Sequence, residues 1–236
     1  MINDINLMNN LPQEIICHIL NYLDTFDIIN FSLSNKFYRN LILENRETFN
    51  CVSNFNNKYI DEIDKLNIIG KLKIIFYNSD IYHIKNLKNV VELNFSFCSL
   101  CVNNMENIKN VKKINFTCCE NLSGYNMLGN CEELDLIDCI DIDDVSYLCN
   151  VKKLNLSYCE GITDVSNLRN CEELSLIGCK NITDVSMLGN VKKLNLSYCE
   201  GIIDVSNLRN CEELHLTGCI RIKDISMLSN VKKLYL

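Results

Sequence analysis

The sequence predicts an α/β chain: a small module of three helices, then a repetitive solenoid with a parallel β-sheet on one face and short 3₁₀ or turn segments on the other. Three observations predict it. From Val111 the chain falls into blocks of twenty residues that begin at Val111, Cys131, Val151, Cys171, Val191, Cys211 and Val231. Inside a block, Leu154 and Leu156 alternate with Asn155, the period-two signature of a short strand. Ahead of the array, residues 11–43 change to the spacing of amphipathic helices.

The head comes first. Ile15, Ile16, Ile19, Leu20 and Leu23 share one helical face, and Pro12 suits the first turn of that helix. Asp24 or Thr25 caps a second short helix carrying Ile28, Ile29 and Phe31. Ser34 caps a third carrying Phe37, Leu41 and Ile42. Three such helices can serve as a cap for the exposed first rung, which repeat arrays require.

Residues 49–70 read as a transition segment, and the array proper starts at residue 71. Its first two copies are irregular: 71–89 (KLKIIFYNSDIYHIKNLKN) is degenerate, and 90–110 has one residue more than the later blocks. Regularity sets in at 111. Residues 151–170 and 191–210 differ only at Thr163 against Ile203, so the unit of recent duplication is forty residues, one VKKL block plus one CEEL block. After the strand, Ile162, Val165 and Leu168 return the chain around the back, and an asparagine ends every block (Asn110 to Asn230), where its tolerance of turn and left-handed backbone suits the corner. A single block buries too little apolar surface to offset the entropy of ordering it, so stacking must supply the rest. The alternating pairs Lys152-Lys153 and Glu172-Glu173 then fall side by side on successive rungs. They read as ion pairs that replace a file of like charges, and less as a surface for gripping a partner.

Composition narrows the function classes. The net charge of −7 leaves no electrostatic footprint for nucleic acid or for an anionic membrane. No apolar run approaches the roughly 20 residues a bilayer requires, and the start MINDINLMNNLPQEI has no export signal. The fifteen cysteines follow the repeat and their number is odd, which predicts reduced thiols in the cytoplasm, with the nucleus also open. Cys119, Cys139, Cys159, Cys179, Cys199 and Cys219 share one register just after the strand, where a small side chain fits a tight corner; a stacked thiolate metal site is the sharper alternative, but parallel side chains do not converge tetrahedrally. No metal and no cofactor is therefore expected. Asp144, Asp164, Asp184, Asp204 and Asp224 form a file that braces each turn rather than binding calcium. No nucleophile, base and orienting group stand together and no phosphate loop is present, so no enzyme is expected.

Two resemblances follow from these residues. Cys171-x-x-Leu174-x-Leu176-x-x-Cys179-x-x-Ile182-Thr183-Asp184 resembles the cysteine-containing leucine-rich repeat over residues 71–236, although the DVSNLRN-type return is too short for the family's usual convex helix. Leu11-Pro12-x-Glu14-Ile15, Ile19-Leu20-x-x-Leu23, Asp27 and Leu33-Ser34-x-x-Phe37-x-x-x-Leu41 resemble an F-box over residues 8–48, with Phe37 where the family usually has tryptophan. The bias toward Asn, Ile and Lys without alanine resembles F-box and repeat chains of giant DNA viruses of amoebae, which would place the protein in host cytoplasm.

The F-box resemblance implies docking on a Skp1-type adaptor, and through it on a cullin, by Leu11, Pro12, Ile15, Ile19, Leu20, Leu23, Leu33 and Phe37. The chain would then be the substrate-recognition subunit of a Skp1–cullin–F-box ubiquitin ligase. The strand face would hold an unidentified target protein through Asn155, Ser157, Tyr158, Ser175, Ile177, Asn195, Ser197, Tyr198, His215 and Thr217, read as outward positions of the strands and their ends. Tyr158 and Tyr198 serve either as anchors for that target or merely as cover for the sheet edge. The alternative function is a repeat-based interaction scaffold without ligase recruitment.

Overall fold

The computed structural model describes residues 12, 15–16, 72–75, 90–98 and 105–236. Among the described residues nine strands form one sheet in sequence order, every neighbour parallel. They are β1 Leu72–Ile75, β2 Val90–Asn94, β3 Lys113–Asn115, β4 Glu133–Asp135, β5 Lys153–Asn155, β6 Glu173–Ser175, β7 Lys193–Asn195, β8 Glu213–His215 and β9 Lys233–Tyr235. From β3 onward the register is one block per rung: Leu154 stands beside Leu134 and Leu174, and Lys153 beside Glu133 and Glu173. The two irregular copies at 71–110 supply β1 and β2, with one register shift between Leu72 and Lys73.

On the opposite face each rung returns through a short 3₁₀ helix, such as Ser166–Asn170, Ser186–Leu188 and Ser206–Asn210. Five residues or fewer cannot complete two helical turns, which matches the short DVSNLRN segment. The Asp file starts these turns. The Oδ1 of Asp144, Asp164, Asp184, Asp204 and Asp224 accepts from the backbone N–H two residues on, at 2.8–2.9 Å. Hydrogen bonds from the serine two residues on, its hydroxyl first at Asp144 and its N–H first at the other four, hold the carboxyls below the ordinary aspartate value of 3.8. A depressed carboxyl stabilises the fold above its unfolded pKa and loses that contribution as pH falls through its folded value. Asp135 runs the other way, raised first by desolvation, but it is one group against five. The melting temperature should therefore drop between about pH 5 and about pH 3, and replacing the five aspartates by asparagine, which keeps the acceptor, should flatten that drop. A pH-independent melt of the parent chain would contradict this account.

The core is one column of repeated side chains. Leu154, Leu156, Cys159, Ile162, Val165 and Leu168 are buried in one rung and recur in the next. Toward the N-terminal rungs phenylalanine fills the Leu156 position, and Phe95 and Phe116 stack with centroids 5.2 Å apart. The six cysteines of the shared register are buried, and each S–H donates to a backbone carbonyl of the preceding rung: Cys119 to Phe95, Cys139 to Phe116, Cys159 to Leu136, Cys179 to Leu156, Cys199 to Leu176 and Cys219 to Leu196, at 2.9–3.1 Å. Burial pushes the thiols of Cys119, Cys139, Cys159, Cys179 and Cys199 up to about 12, so they stay protonated and keep donating. Among the described residues no group of His, Cys, Asp and Glu is arranged to hold a metal.

One expectation about the corners is corrected. The block-end asparagines do not take up the left-handed backbone. Among the described residues that conformation falls at the corner just after β2 to β8, at Phe97, Cys118, Asp138, Tyr158, Gly178, Tyr198 and Gly218, and also at Asn121 and Gly124. The block-end residue instead closes the 3₁₀ turn, as Asn170 and Asn210 do.

Of the head, Pro12 accepts at its carbonyl from the N–H groups of Ile15 and Ile16, both at 3.1 Å, as a helix start requires. Ile16 is buried and Ile15 is half exposed. The rest of the expected three-helix module, including Leu11, Ile19, Leu20, Leu23, Leu33 and Phe37, lies outside the described residues, as does the transition segment 49–70.

Candidate binding face

The open side of the sheet carries three parallel files. The first is the charged rail. Lys113 and Lys153 both reach Glu133, at 2.9 and 3.7 Å, and Lys153 and Lys193 both reach Glu173, at 3.9 and 2.9 Å. A second row runs outside it, with Lys112–Glu132 at 3.6 Å, Lys192–Glu172 at 3.4 Å and Lys232–Glu212 at 3.7 Å. Glu133, hydrogen-bonded by Lys113, is held below the ordinary carboxylate value, and Lys113 is raised in turn. The alternation thus satisfies most of the row, although Lys152 makes no ion pair among the described residues. Lys153→Glu would set three carboxylates on adjacent rungs in place of two ion pairs. It should cost about 1–2 kcal/mol at low salt, and less at high salt. Denaturant melts at two ionic strengths check this, and equal stability at low salt would refute it.

The second file is the floor of the groove: Asp135, Asn155, Ser175, Asn195 and His215, all half buried. A shallow hollow of about 360 Å³ runs along rail and floor from Glu133 to His215. The asparagines are tied down. The Oδ1 of Asn155 accepts from the N–H of Ser157 at 3.1 Å and from its hydroxyl at 2.6 Å, and Asn195 accepts from the N–H of Ser197 at 3.0 Å. His215 stacks on Tyr235 at 4.1 Å, and its Nε2 lies 3.1 Å from Glu213.

This geometry corrects the expectation that Ser157 and Ser197 point outward. They are 3% and 8% exposed. The chain leaves the extended conformation after Asn155 and Asn195, so strict alternation ends there and the asparagine side chains fold over the serines. Ser157 instead links two rungs, with its Oγ 2.9 Å from that of Ser175. Ile177 is half buried beside it and Thr217 is exposed.

The third file is the rim, formed by the left-handed corner. Tyr158 and Tyr198 are 51% and 53% exposed and stand two rungs apart. Their N–H groups continue the ladder to the carbonyls of Ile177 and Thr217, both at 2.7 Å. On the rungs between and beyond them stand Gly178 and Gly218, over which the tyrosine rings lie: a Cβ on Gly178 would sit 2.7 Å from Tyr158 Cδ1, and one on Gly218 2.6 Å from Tyr198 Cδ1. The two tyrosines are legible in the sequence as exposed aromatics, whereas the glycines beneath them are not among the expected site residues. Their signal was the glycine at the same block position in alternate blocks. The arrangement is a broad polar face with rigid aromatic projections, suited to holding a macromolecule.

Known proteins resemble the two parts of the chain separately. Residues 8–50 match the F-box domain family. Among solved structures the chain is similar to internalin C2 from Listeria monocytogenes, with 24% identity, a TM-score of 0.53, and coverage of 73% of this chain and 82% of that one. It is also similar to the internalin inlF from the same species, with 14% identity, a TM-score of 0.56, and coverage of 79% and 65%. At these identities the likeness concerns the fold, a leucine-rich-repeat-type parallel solenoid. No match was found among curated proteins. The family match thus covers residues 8–50, and the likeness to the internalins concerns the fold of the repeat array.

Proposed function

We propose that this protein is a substrate receptor of a Skp1–cullin–F-box ubiquitin ligase. The F-box match at residues 8–50, on the same chain as a solenoid with an open polar face, carries the reading. The F-box segment docks on a Skp1-type adaptor through Leu11, Pro12, Ile15, Ile19, Leu20, Leu23, Leu33 and Phe37. The adaptor brings a cullin. The solenoid holds the target on its rim and floor, through Tyr158, Tyr198, Asn155 and Asn195. The chain itself does no bond chemistry. It raises the effective concentration of a target lysine beside a ubiquitin-loaded enzyme, and proximity of that kind supplies much of the acceleration of a two-body reaction. The free, protonated thiols in the core are compatible with the reducing cytoplasm, where we place the protein.

Co-precipitation of the full chain from cells tests the reading. Recovery of a Skp1-type adaptor together with a cullin is the expected result. Adaptor without cullin would leave an interaction scaffold, and absence of both would overturn the proposal.

A further inference from the structure

Tyr158 and Tyr198 stand where glycine would fit more easily. Their φ angles are 64° and 61°, a region that side chains beyond Asn and Asp enter rarely. The same corner is glycine at 178 and 218, with φ of 71° and 77°, so the fold demands this conformation whatever residue fills it. Phe97, Cys118 and Asp138 take the same corner, so the corner fixes where a side chain projects, and at Tyr158 and Tyr198 what it projects is an exposed aromatic ring.

The two rings are also presented alike. Each leans on the glycine of the next rung, with nearly the same approach, 2.7 Å and 2.6 Å to the built Cβ. Whatever touches both in the same way must therefore repeat itself after two rungs. Adjacent strands are about 4.7–4.9 Å apart, so two rungs span roughly 9.4–9.8 Å. An extended strand shows the same face again after about 6.6 Å or about 13 Å, and neither fits. An α-helix returns after seven residues, about 10.5 Å, and is rotated by roughly 20°. A polyproline II helix has three residues per turn and a rise of about 3.1 Å, so it returns to the same face after about 9.3 Å. Of the three, it alone falls within about 0.5 Å of the pitch. Its carbonyls are also free to accept from the tyrosine hydroxyls.

The charges beside the rings select the ligand further. Two residues after each tyrosine stands an exposed glutamate, Glu160 and Glu200, and Asp138 is exposed on the rung before Tyr158. Lys180 offsets Glu160 at 3.7 Å, while Glu200 makes no ion pair among the described residues. The rim is net acidic.

We infer that the Tyr158–Tyr198 rim binds a proline-rich, basic segment in the polyproline II conformation, laid along the stacking axis of the solenoid. This rests on the proposal that the solenoid holds a target, and it names the chemistry of what is held.

The test titrates the full chain with a peptide of about nine prolines, three polyproline II turns, flanked by arginines. The comparison peptides carry the same arginines around a glycine–serine stretch, an amphipathic helix and an alternating strand. Tyrosine fluorescence and NMR shifts report binding. The proline peptide should bind at least about tenfold more tightly than the others, with shifts at Tyr158 and Tyr198. Tyr158→Gly with Tyr198→Gly should abolish that preference while leaving the melting temperature unchanged or higher, because glycine relieves the left-handed corner. Equal binding of all four peptides, tighter binding of the helix or strand, or undiminished binding by the double glycine variant would overturn the inference. Adaptor capture is read separately. A chain that captures adaptor and cullin but ignores the proline peptide defeats this inference alone.

Discussion

Leu20→Asp combined with Phe37→Asp should abolish capture of the Skp1-type adaptor, a loss of more than about 100-fold in affinity. Both residues fall within the matched F-box segment, and the proposed function places them among the adaptor contacts. An interface of this sort draws its energy from a few apolar and aromatic anchors in desolvated pockets. A carboxylate placed there loses the anchor's contribution and adds the cost of desolvating a charge. Two such changes at roughly 2 kcal/mol or more each account for the predicted factor. Immobilised adaptor titrated with parent and variant chains measures the loss. The thermal melt of the repeat array should be unaltered, because the regular blocks begin at Val111, far along the sequence. Retained adaptor binding by a folded variant would refute the residue assignment. The double glycine variant at Tyr158 and Tyr198 should behave oppositely, keeping the adaptor and losing the proline-rich ligand.

Much of the solenoid was legible because its rules are periodic. A block of twenty with leucines at alternate positions can stack only as parallel rungs, and the lysine and glutamate pairs follow directly from that register, as Lys153 beside Glu133 and Glu173 shows. The buried Cys159, Ile162, Val165 and Leu168 were likewise readable from their recurrence. What alternation could not foresee is where the strand stops. The extended chain ends at Asn155, two residues before Ser157, so a period of two carried through Ser157 assigns it to the wrong side. The left-handed corner was hidden for a related reason. Tyrosine is a poor marker of positive φ, and the true marker was the glycine at the same position one block later, at Gly178 and Gly218. The thiol ladder to the previous rung's carbonyls needed coordinates, because sequence gives the register of Cys159 but not the height of its Sγ above Leu136. At the head, helical spacing pointed to Pro12 and the first turn, and the proposed adaptor contacts rest on motif resemblance.

Leu176→Ala should destabilise the solenoid by about 2–5 kcal/mol, and Leu216→Ala by clearly less. Leu176 is fully buried in a middle rung, with Leu156 and Leu196 in the same file on either side, and its carbonyl also accepts the Cys199 thiol. Truncation leaves a cavity that neighbouring rungs cannot collapse to fill, because the ladder bond from Leu176 N–H to the Asn195 carbonyl, 2.8 Å, holds the backbone in place. Leu216 occupies the same position two rungs on but is 4% exposed, and the next rung's Leu234 is only partly buried. In a one-dimensional stack a fault between two well-packed rungs weakens two interfaces, whereas a fault beside a looser rung removes less packing. The melt of Leu176→Ala should therefore broaden or split as the two segments lose their coupling, while Leu216→Ala shifts the transition slightly and keeps it single. Calorimetry on the three chains distinguishes these shapes. Equal losses at the two positions would mean that the array unfolds as one cooperative unit and that coupling between rungs exceeds what a single core leucine contributes.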